Sequence, residues 1–275
     1  MRLGIDIGGT NLCLGLVRGG RITDMFSTPS FAHDATLEQT LEYLSAQIRK
    51  ILHPDTESIG LGVPSVVDIK KGIVYDTQNI PSWKEVHLKE YLEDRFHLPV
   101  AVNNDANCYA MGVYGTFPEN DKPETLVVVT LGTGVGMGIV QEGKLFAGVN
   151  CGAGELCSLP YRDSILEDYC SKKFFTSHGM DSMKAYLAAE NGDPAALEFY
   201  AEFGRHLGEL LSVVMFAYDP SHIVLSGGIA NNHTFFRAAM EEQLRARYPY
   251  AKSLDRLSVS ICTDGNLPII GATLI

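Results

Sequence analysis

The residues best suited to chemistry lie in Asn103-Asn104-Asp105-Ala106-Asn107. An apolar run, Leu98-Pro-Val-Ala-Val102, reads as a buried strand before them, and Cys108 to Tyr114 can continue as a helix. Open α/β sheets bind ligands where strands end in this way. A carboxylate there can accept a proton from a substrate hydroxyl while neighbouring amides hold the substrate. The same residue types are favoured helix N-caps, so the segment alone leaves a cap and a base both open.

Two glycine turns offer a second chemistry. Asp6-Ile-Gly8-Gly9-Thr10 and Leu131-Gly132-Thr133-Gly134-Val-Gly136 each follow an apolar strand. Without a Cβ, such turns let a ligand approach the backbone, and their amides form a concavity for anions. Neither has the Gly-Lys-Ser/Thr ending of a Walker A loop. Neither opens a βαβ unit with a downstream acid, as a dinucleotide fingerprint requires. Taken singly, each also fits a plain hairpin turn. Asp6 could orient Mg²⁺ through water, or simply cap its turn. Ser226-Gly227-Gly228-Ile-Ala230 could let a nucleoside lie on the backbone, or turn a strand into a helix. Glu155, in Gly152-Ala-Gly-Glu155, and Glu167 are carboxylates able to accept from paired sugar hydroxyls. The glycines around Glu155 predict that it is inside, whereas Glu167 also fits a solvated helix surface.

These residues need strands and helices to position them. Arg2–Ile7, Leu12–Val17 and Arg21–Thr28 are expected strands, followed by a helix over 35–52 with leucines and isoleucines at three-to-four spacing. Ser58–Val63 is a strand and Leu88–Phe96 a helix. Thr125–Leu131, Met137–Gln141 and Lys144–Ala147 restart the strand pattern, and Val149–Pro160 reads as irregular. Helices are expected over Ile165–Phe175, Ser182–Glu190, Ala195–Ala217 and Phe235–Arg247, with strands at His222–Leu225 and Leu257–Cys262. Both halves thus begin with strands joined by a glycine turn, which predicts two related α/β lobes with a ligand cleft between them. The polar loop Glu119–Glu124 is the expected boundary.

The chain has 275 residues and a net charge of -11, which disfavours a broad face for nucleic acid or anionic membrane. No apolar run reaches a membrane span, and a charge interrupts the N-terminus too early for a signal peptide, so the cytoplasm is the expected location. The six cysteines lack CxxC spacing and read as reduced thiols.

With these pieces in order, the chain resembles the ROK family of sugar kinases, the bacterial glucokinase-like group. Asp6-Ile-Gly-Gly-Thr10-Asn11 and Gly132-Thr-Gly-Val-Gly136 match its two phosphate motifs. Gly62-Val-Pro64, Asn79-Ile-Pro-Ser-Trp83 and Asn104-Asp-Ala-Asn107 match its N-terminal lobe. Gly152-Ala-Gly-Glu155 resembles the sugar segment, Asp219 to Gly228 the nucleotide segment, and Gly271 to Leu274 the terminal helix. The resemblance implies a two-lobed actin-like ATPase (ribonuclease H-like) α/β fold with an interlobe cleft. Residues 1–118, completed by 264–275, would form one lobe and residues 119–263 the other.

It also implies roles. Asp105 would be the general base for ATP-dependent phosphorylation of a hexose, glucose or a related sugar, at its primary hydroxyl. Asn79, Asn104, Glu155 and Glu167 would hold the sugar together with Asp105. Asp6, Gly8, Gly9, Thr10, Asn11, Gly132, Thr133, Gly134, Gly227 and Gly228 would bind ATP, with Asp6 serving Mg²⁺. A homodimer acting on small molecules is expected. The family's ligand His is replaced by Ser158, and its zinc-binding cysteine loop is missing before Glu167. No zinc is therefore expected, and a short segment must brace Glu155 and Glu167 by packing. A kinase for N-acetylmannosamine or N-acetylglucosamine, or a non-catalytic sugar or nucleotide sensor, are the competing readings. The family's repressors carry a DNA-binding module ahead of the first glycine turn. Here that turn comes at once, so no nucleic-acid role is expected.

Overall fold

A computed structural model describes residues 1–149 and 151–275. In chain order it places β1 (Arg2–Ile7), β2 (Asn11–Arg18), β3 (Arg21–Pro29), α1 (Leu37–Ile51), β4 (Ser58–Val63), β5 (Val66–Asp68), β6 (Ile73–Tyr75), β7 (Glu85–His87), α2 (Leu88–Phe96), β8 (Val100–Asn104) and α3 (Asp105–Thr116). Then come β9 (Thr125–Leu131), β10 (Val135–Gln141), β11 (Lys144–Leu145), β12 (Pro160–Tyr161), β13 (Ser164–Ile165), α4 (Leu166–Cys170), α5 (Lys172–Ser177), α6 (Ser182–Glu190) and α7 (Pro194–Tyr218). The chain finishes with β14 (His222–Ser226), α8 (His233–Arg247), α9 (Ala251–Leu254), β15 (Ser258–Ile261) and α10 (Leu267–Ala272).

Two compact units emerge, one of Met1–Lys122, Gly138–Ala153 and Asp264–Ile275, the other of Pro123–Met137 and Gly154–Thr263. The first is built on the sheet β3-β2-β1-β4-β8, where β1 runs antiparallel to β2 and parallel to β4. Its apolar positions, Leu3, Ile5, Ile7, Leu12, Leu14, Ile59 and Leu61, are all essentially buried. Helix α1 starts at a capping box in which Thr36 and Gln39 each satisfy the other's backbone amide.

Helix α10 completes this unit, and glycine is what admits it. A Cβ on Gly60 would stand 1.6 Å from the Ala272 carbonyl oxygen, and one on Gly4 would stand 2.0 Å from that of Ile269. The helix backbone therefore rests directly on the sheet. On its other side Gly271 meets Cys108 of α3, again closer than any side chain permits. Residues Gly138–Ala153 group here as well, because Gly138 lets the β10 backbone approach Ala106 and Ala110 of α3.

The other five-stranded sheet has the order β11-β10-β9-β14-β15. Leu126 to Val129 of β9 are wholly buried, as expected of an apolar, largely β-branched run in the sheet's central strand, which runs parallel to β14. Helix α7 is capped by Asp193 and started by Pro194. Its Gly204 and Gly208 allow α8 to pack at backbone distance.

Three expectations need correction. The strand before Asp105 is Val100–Asn104, two residues later than the apolar run, because Asn103 and Asn104 pair with Gly62 and Val63 of β4. The expected helix Ile165–Phe175 is two helices. Buried Ser171 interrupts it by turning extended and capping α5 through the Lys173 amide. Within the irregular stretch, Glu155–Ser158 forms a single 3-10 turn, and Asn150 lies outside the described residues. A small sheet, β5-β6-β7, carries three-residue strands too short for periodicity to show.

Candidate functional site

In the first unit the site grows from register. Asp6 on β1 pairs with Gly62 on β4, and Gly62 pairs with Asn103 on β8. Asp105 follows directly as the first residue of α3. A Cβ on Gly62 would lie 3.3 Å from both the Asp105 Cα and the Cys108 Sγ, so the bare glycine leaves room for the helix start. The result is an acid pair. Burial, and then the like charge of Asp105, push the Asp6 carboxyl up to about 7.

The cap and the acid are separate residues. Asn104 is the N-cap, its Oδ1 accepting from the Ala106 and Asn107 amides at 2.9 and 3.4 Å. Its Nδ2 donates to the Ser65 carbonyl at 3.3 Å. Asp105 Oδ1 accepts from the Ala106 amide at 2.8 Å. Beneath them Asn103 Oδ1 takes hydrogen bonds from the Asn104 amide and the Asn107 Nδ2, with the Cys151 thiol 3.5 Å away. Buried Asn103, Asn107 and Cys151 thus stiffen the turn. Sequence alone gives Asn103 and Asn107 no such role and leaves Cys151 out, because nothing local signals a contact 44 residues away.

The first glycine turn is a hairpin between β1 and β2, closed by the Gly8 amide on the Asn11 carbonyl at 2.9 Å. Ser30 Oγ donates to the Gly8 carbonyl at 2.7 Å, and the Ser30 amide donates to that of Thr10. Gly9, Thr10 and Asn11 are exposed. Exposed Asn79 stands over this turn, its Nδ2 3.1 Å from where a Gly9 Cβ would be. Its loop is anchored by buried Trp83, whose Nε1 donates to Thr40 at 2.8 Å.

In the second unit the second glycine turn is tied at both ends to the segment carrying Glu167. The Lys172 amide donates to the Gly132 carbonyl at 2.8 Å, and the Val135 amide donates to Glu167 Oε2 at 3.1 Å. Glu167 Oε1 also takes a hydrogen bond from Lys173 at 2.7 Å. A Cβ on Gly134 would sit 2.7 Å from that carboxylate, so a side chain there would displace it. Gly132, Thr133 and Gly228 line one cavity of about 460 Å³, walled by Met183 and Tyr186 of α6 and floored by Asn231 and Asn232. Gly227, at φ +84° and against the Leu131 carbonyl, shapes the turn beside it. The cavity size suits a small ligand.

Glu155 corrects a prediction, for it is exposed. The neighbour that goes inside is Gly154, at φ 98°, whose amide donates to the Tyr218 hydroxyl at 3.1 Å. Partial desolvation, and then the charge of Glu167, hold the Glu155 carboxyl above its ordinary value, an effect moderated by exposure.

The brace for these acids is aromatic. The β12–β13 hairpin leads into α4, and Arg162 at its tip, at φ +53°, lies over the rings of both Tyr161 and Tyr169. Tyr161 hydrogen-bonds His206 Nδ1 of α7 at 3.0 Å, and Tyr169 donates to Asp163. Burial, and then Arg162, hold His206 down to about 4, so it packs as a neutral ring. Cys157 donates to the Val135 carbonyl, and burial raises its thiol to about 11. Among the described residues no group of three or more His, Cys, Asp or Glu is placed to hold a metal ion.

The ROK family model matches residues 2–266. A glucokinase of Halalkalibacterium halodurans is 28% identical, over 96% of this chain and 91% of its own. A beta-glucoside kinase of Klebsiella pneumoniae is 30% identical, over 92% and 89%. A ROK family glucokinase from Streptomyces griseus, solved with glucose and AMPPNP, superposes with a TM-score of 0.78 at 26% identity, over 99% and 97%. With that match across nearly its whole length, and with the actin/hexokinase-like α/β architecture those structures share, the chain belongs to the ROK family and is an ATP-dependent sugar kinase of it.

Proposed function

We propose that this kinase transfers the γ-phosphoryl group of ATP to the primary hydroxyl of glucose or a closely related hexose, with Asp105 as general base. The observation that carries this reading is the acid pair of Asp6 on β1 and Asp105 directly after β8, with Gly62 of β4 between the two strands and Asn104 as the helix cap. As the sugar oxygen bonds to the γ-phosphorus, its bond to the β,γ-bridging oxygen breaks and ADP leaves. The hydroxyl proton passes to the Asp105 carboxylate. Positioning and electrostatics carry most of the acceleration in such transfers. Asn79, Asn104, Glu155 and Glu167 hold sugar hydroxyls. The glycine turns at residues 8–11 and 132–134, with Gly227 and Gly228, receive the nucleotide.

A carboxylate whose proton affinity is raised by burial and by the charge of a second acid suits a hard divalent cation with oxygen ligands. Asp6 would hold Mg²⁺ through water, and the ion would neutralise phosphate charge. The glucokinase and glucoside kinase relatives support a gluco-configured acceptor. Ser158, exposed and short, offers a single hydroxyl at the sugar segment.

The test is Asp105→Asn, assayed for ADP release across a panel of hexoses and N-acetylamino sugars. Turnover on the preferred sugar is expected to fall by about 10²–10⁴-fold with sugar binding retained. Undiminished turnover would remove Asp105 from the base role. Preference for an N-acetylamino sugar would replace the acceptor, and ligand binding without turnover on any sugar would favour a sensor.

A further inference from the structure

We infer that Lys172 is a phosphate-contacting residue of the nucleotide site, a role that rests on the nucleotide reading above. Lys172 lines the cavity shared by Gly132, Thr133 and Gly228, and it is the one cationic side chain among the residues that line it. Its backbone amide is fixed on the Gly132 carbonyl at 2.8 Å, so its side chain starts at the glycine turn itself. Its ammonium is exposed and, among the described residues, has no ion-pair or hydrogen-bond partner. The adjacent Lys173 differs on that point, being held by Glu167 at 2.7 Å and Asp168 at 3.1 Å. Two consecutive lysines thus divide their work, one fixing an acid and the other left available to an anion.

The ligand chemistry follows from the walls. Gly132 and Gly228 present backbone with open space above it, since a Cβ on either would meet nothing within 4 Å. Met183 and Tyr186 offer apolar surface for a base, and Asn232 is oriented by its 3.0 Å hydrogen bond to the Tyr200 hydroxyl. None of the walls but Lys172 carries a positive charge. In a chain of net charge -11, a polyanionic donor gains most from one local cation beside its phosphates. Lysine acts there as a point charge on a flexible stem, so it serves the phosphate chain and leaves the base alone.

The experiment compares Lys172→Met and Lys172→Arg with the unaltered protein, titrating adenosine, AMP, ADP and the ATP analogue AMPPNP with Mg²⁺ by calorimetry. Methionine keeps the apolar stem and removes the charge. Affinity for ADP and AMPPNP is expected to fall roughly tenfold in the Met variant, with adenosine unchanged and the Arg variant close to the unaltered protein. The KM for sugar should stay within about twofold, and the salt dependence of ADP binding should become shallower. Equal loss for adenosine and ADP would make Lys172 a wall of the cavity and overturn the assignment. So would unchanged affinity for ADP and AMPPNP. If the unaltered protein bound none of the four, the nucleotide reading itself would fail, and Lys172 with it.

Discussion

Asp6 is the residue whose charge state is most informative. Its carboxyl titrates at about 7 in the folded chain against 3.8 when unfolded. The folded state therefore holds the proton more tightly, and its stability declines as pH rises from about 4 to about 7. Asp6→Asn cannot ionise, so it is expected to be more stable than the unaltered protein by roughly 1–4 kcal/mol above pH 7, with the difference vanishing near pH 4. Urea unfolding at pH 4.5 and pH 8 measures this. A pH-independent difference would show that the Asp6 carboxyl is not raised in the folded chain. If Asp6 serves Mg²⁺ as proposed, a proton is expected to be released at neutral pH when Mg·ATP binds. The apparent binding enthalpy should then depend on the buffer's ionisation enthalpy, and Asp6→Asn should abolish that dependence.

At the scale of elements, the aromatic clasp packs α4, the helix that carries Glu167, against α7. His206 is 1% exposed and held neutral with a value near 4, against 6.5 when free. The unfolded chain binds the extra proton first, so stability is lost as pH falls from 6.5 through 4, by roughly 2–3 kcal/mol in all. His206→Phe should flatten that acid limb, measured as thermal midpoints from pH 7 to pH 4. A variant as acid-sensitive as the parent would exclude His206 as the cause. Tyr161→Phe leaves His206 Nδ1 without its partner and is expected to cost about 1–2 kcal/mol. Because α4 carries Glu167, it should also raise the KM for sugar more than that for ATP. An unchanged ratio of the two would confine the clasp to stability.

At the scale of the whole molecule, the last residues complete the first unit. Helix α10 lies on Gly4 and Gly60 and against α3, with Leu267, Ile269 and Ala272 nearly fully buried. Gly60→Ala places a Cβ within 1.6 Å of a backbone oxygen, which no rotamer can relieve. A loss of at least about 3 kcal/mol is expected by calorimetric melting, since the helix must lift from the sheet. Gly19→Ala is the control. It meets nothing within 4 Å, although its φ of +57° makes it mildly strained. Equal melting of the two variants would show that α10 does not depend on this close approach.

The chain itself determined the chemistry available. Residue type made Asp105, Asp6, Glu155 and Glu167 candidates, and β-branched or three-to-four periodic runs placed most strands and helices, because burial of one face writes itself into spacing. Glycine at 8, 9, 132, 134, 227 and 228 marked the turns, because a bare backbone has no local substitute. Only the tertiary structure decided which of these meet. Gly62 separates Asp6 from Asp105 across two strand pairings, and Lys172 reaches Gly132 across 40 positions of sequence that no local pattern encodes. Burial of Gly154 in place of Glu155, and the break at Ser171, likewise follow from long-range hydrogen bonds and packing, terms that spacing along a chain does not carry.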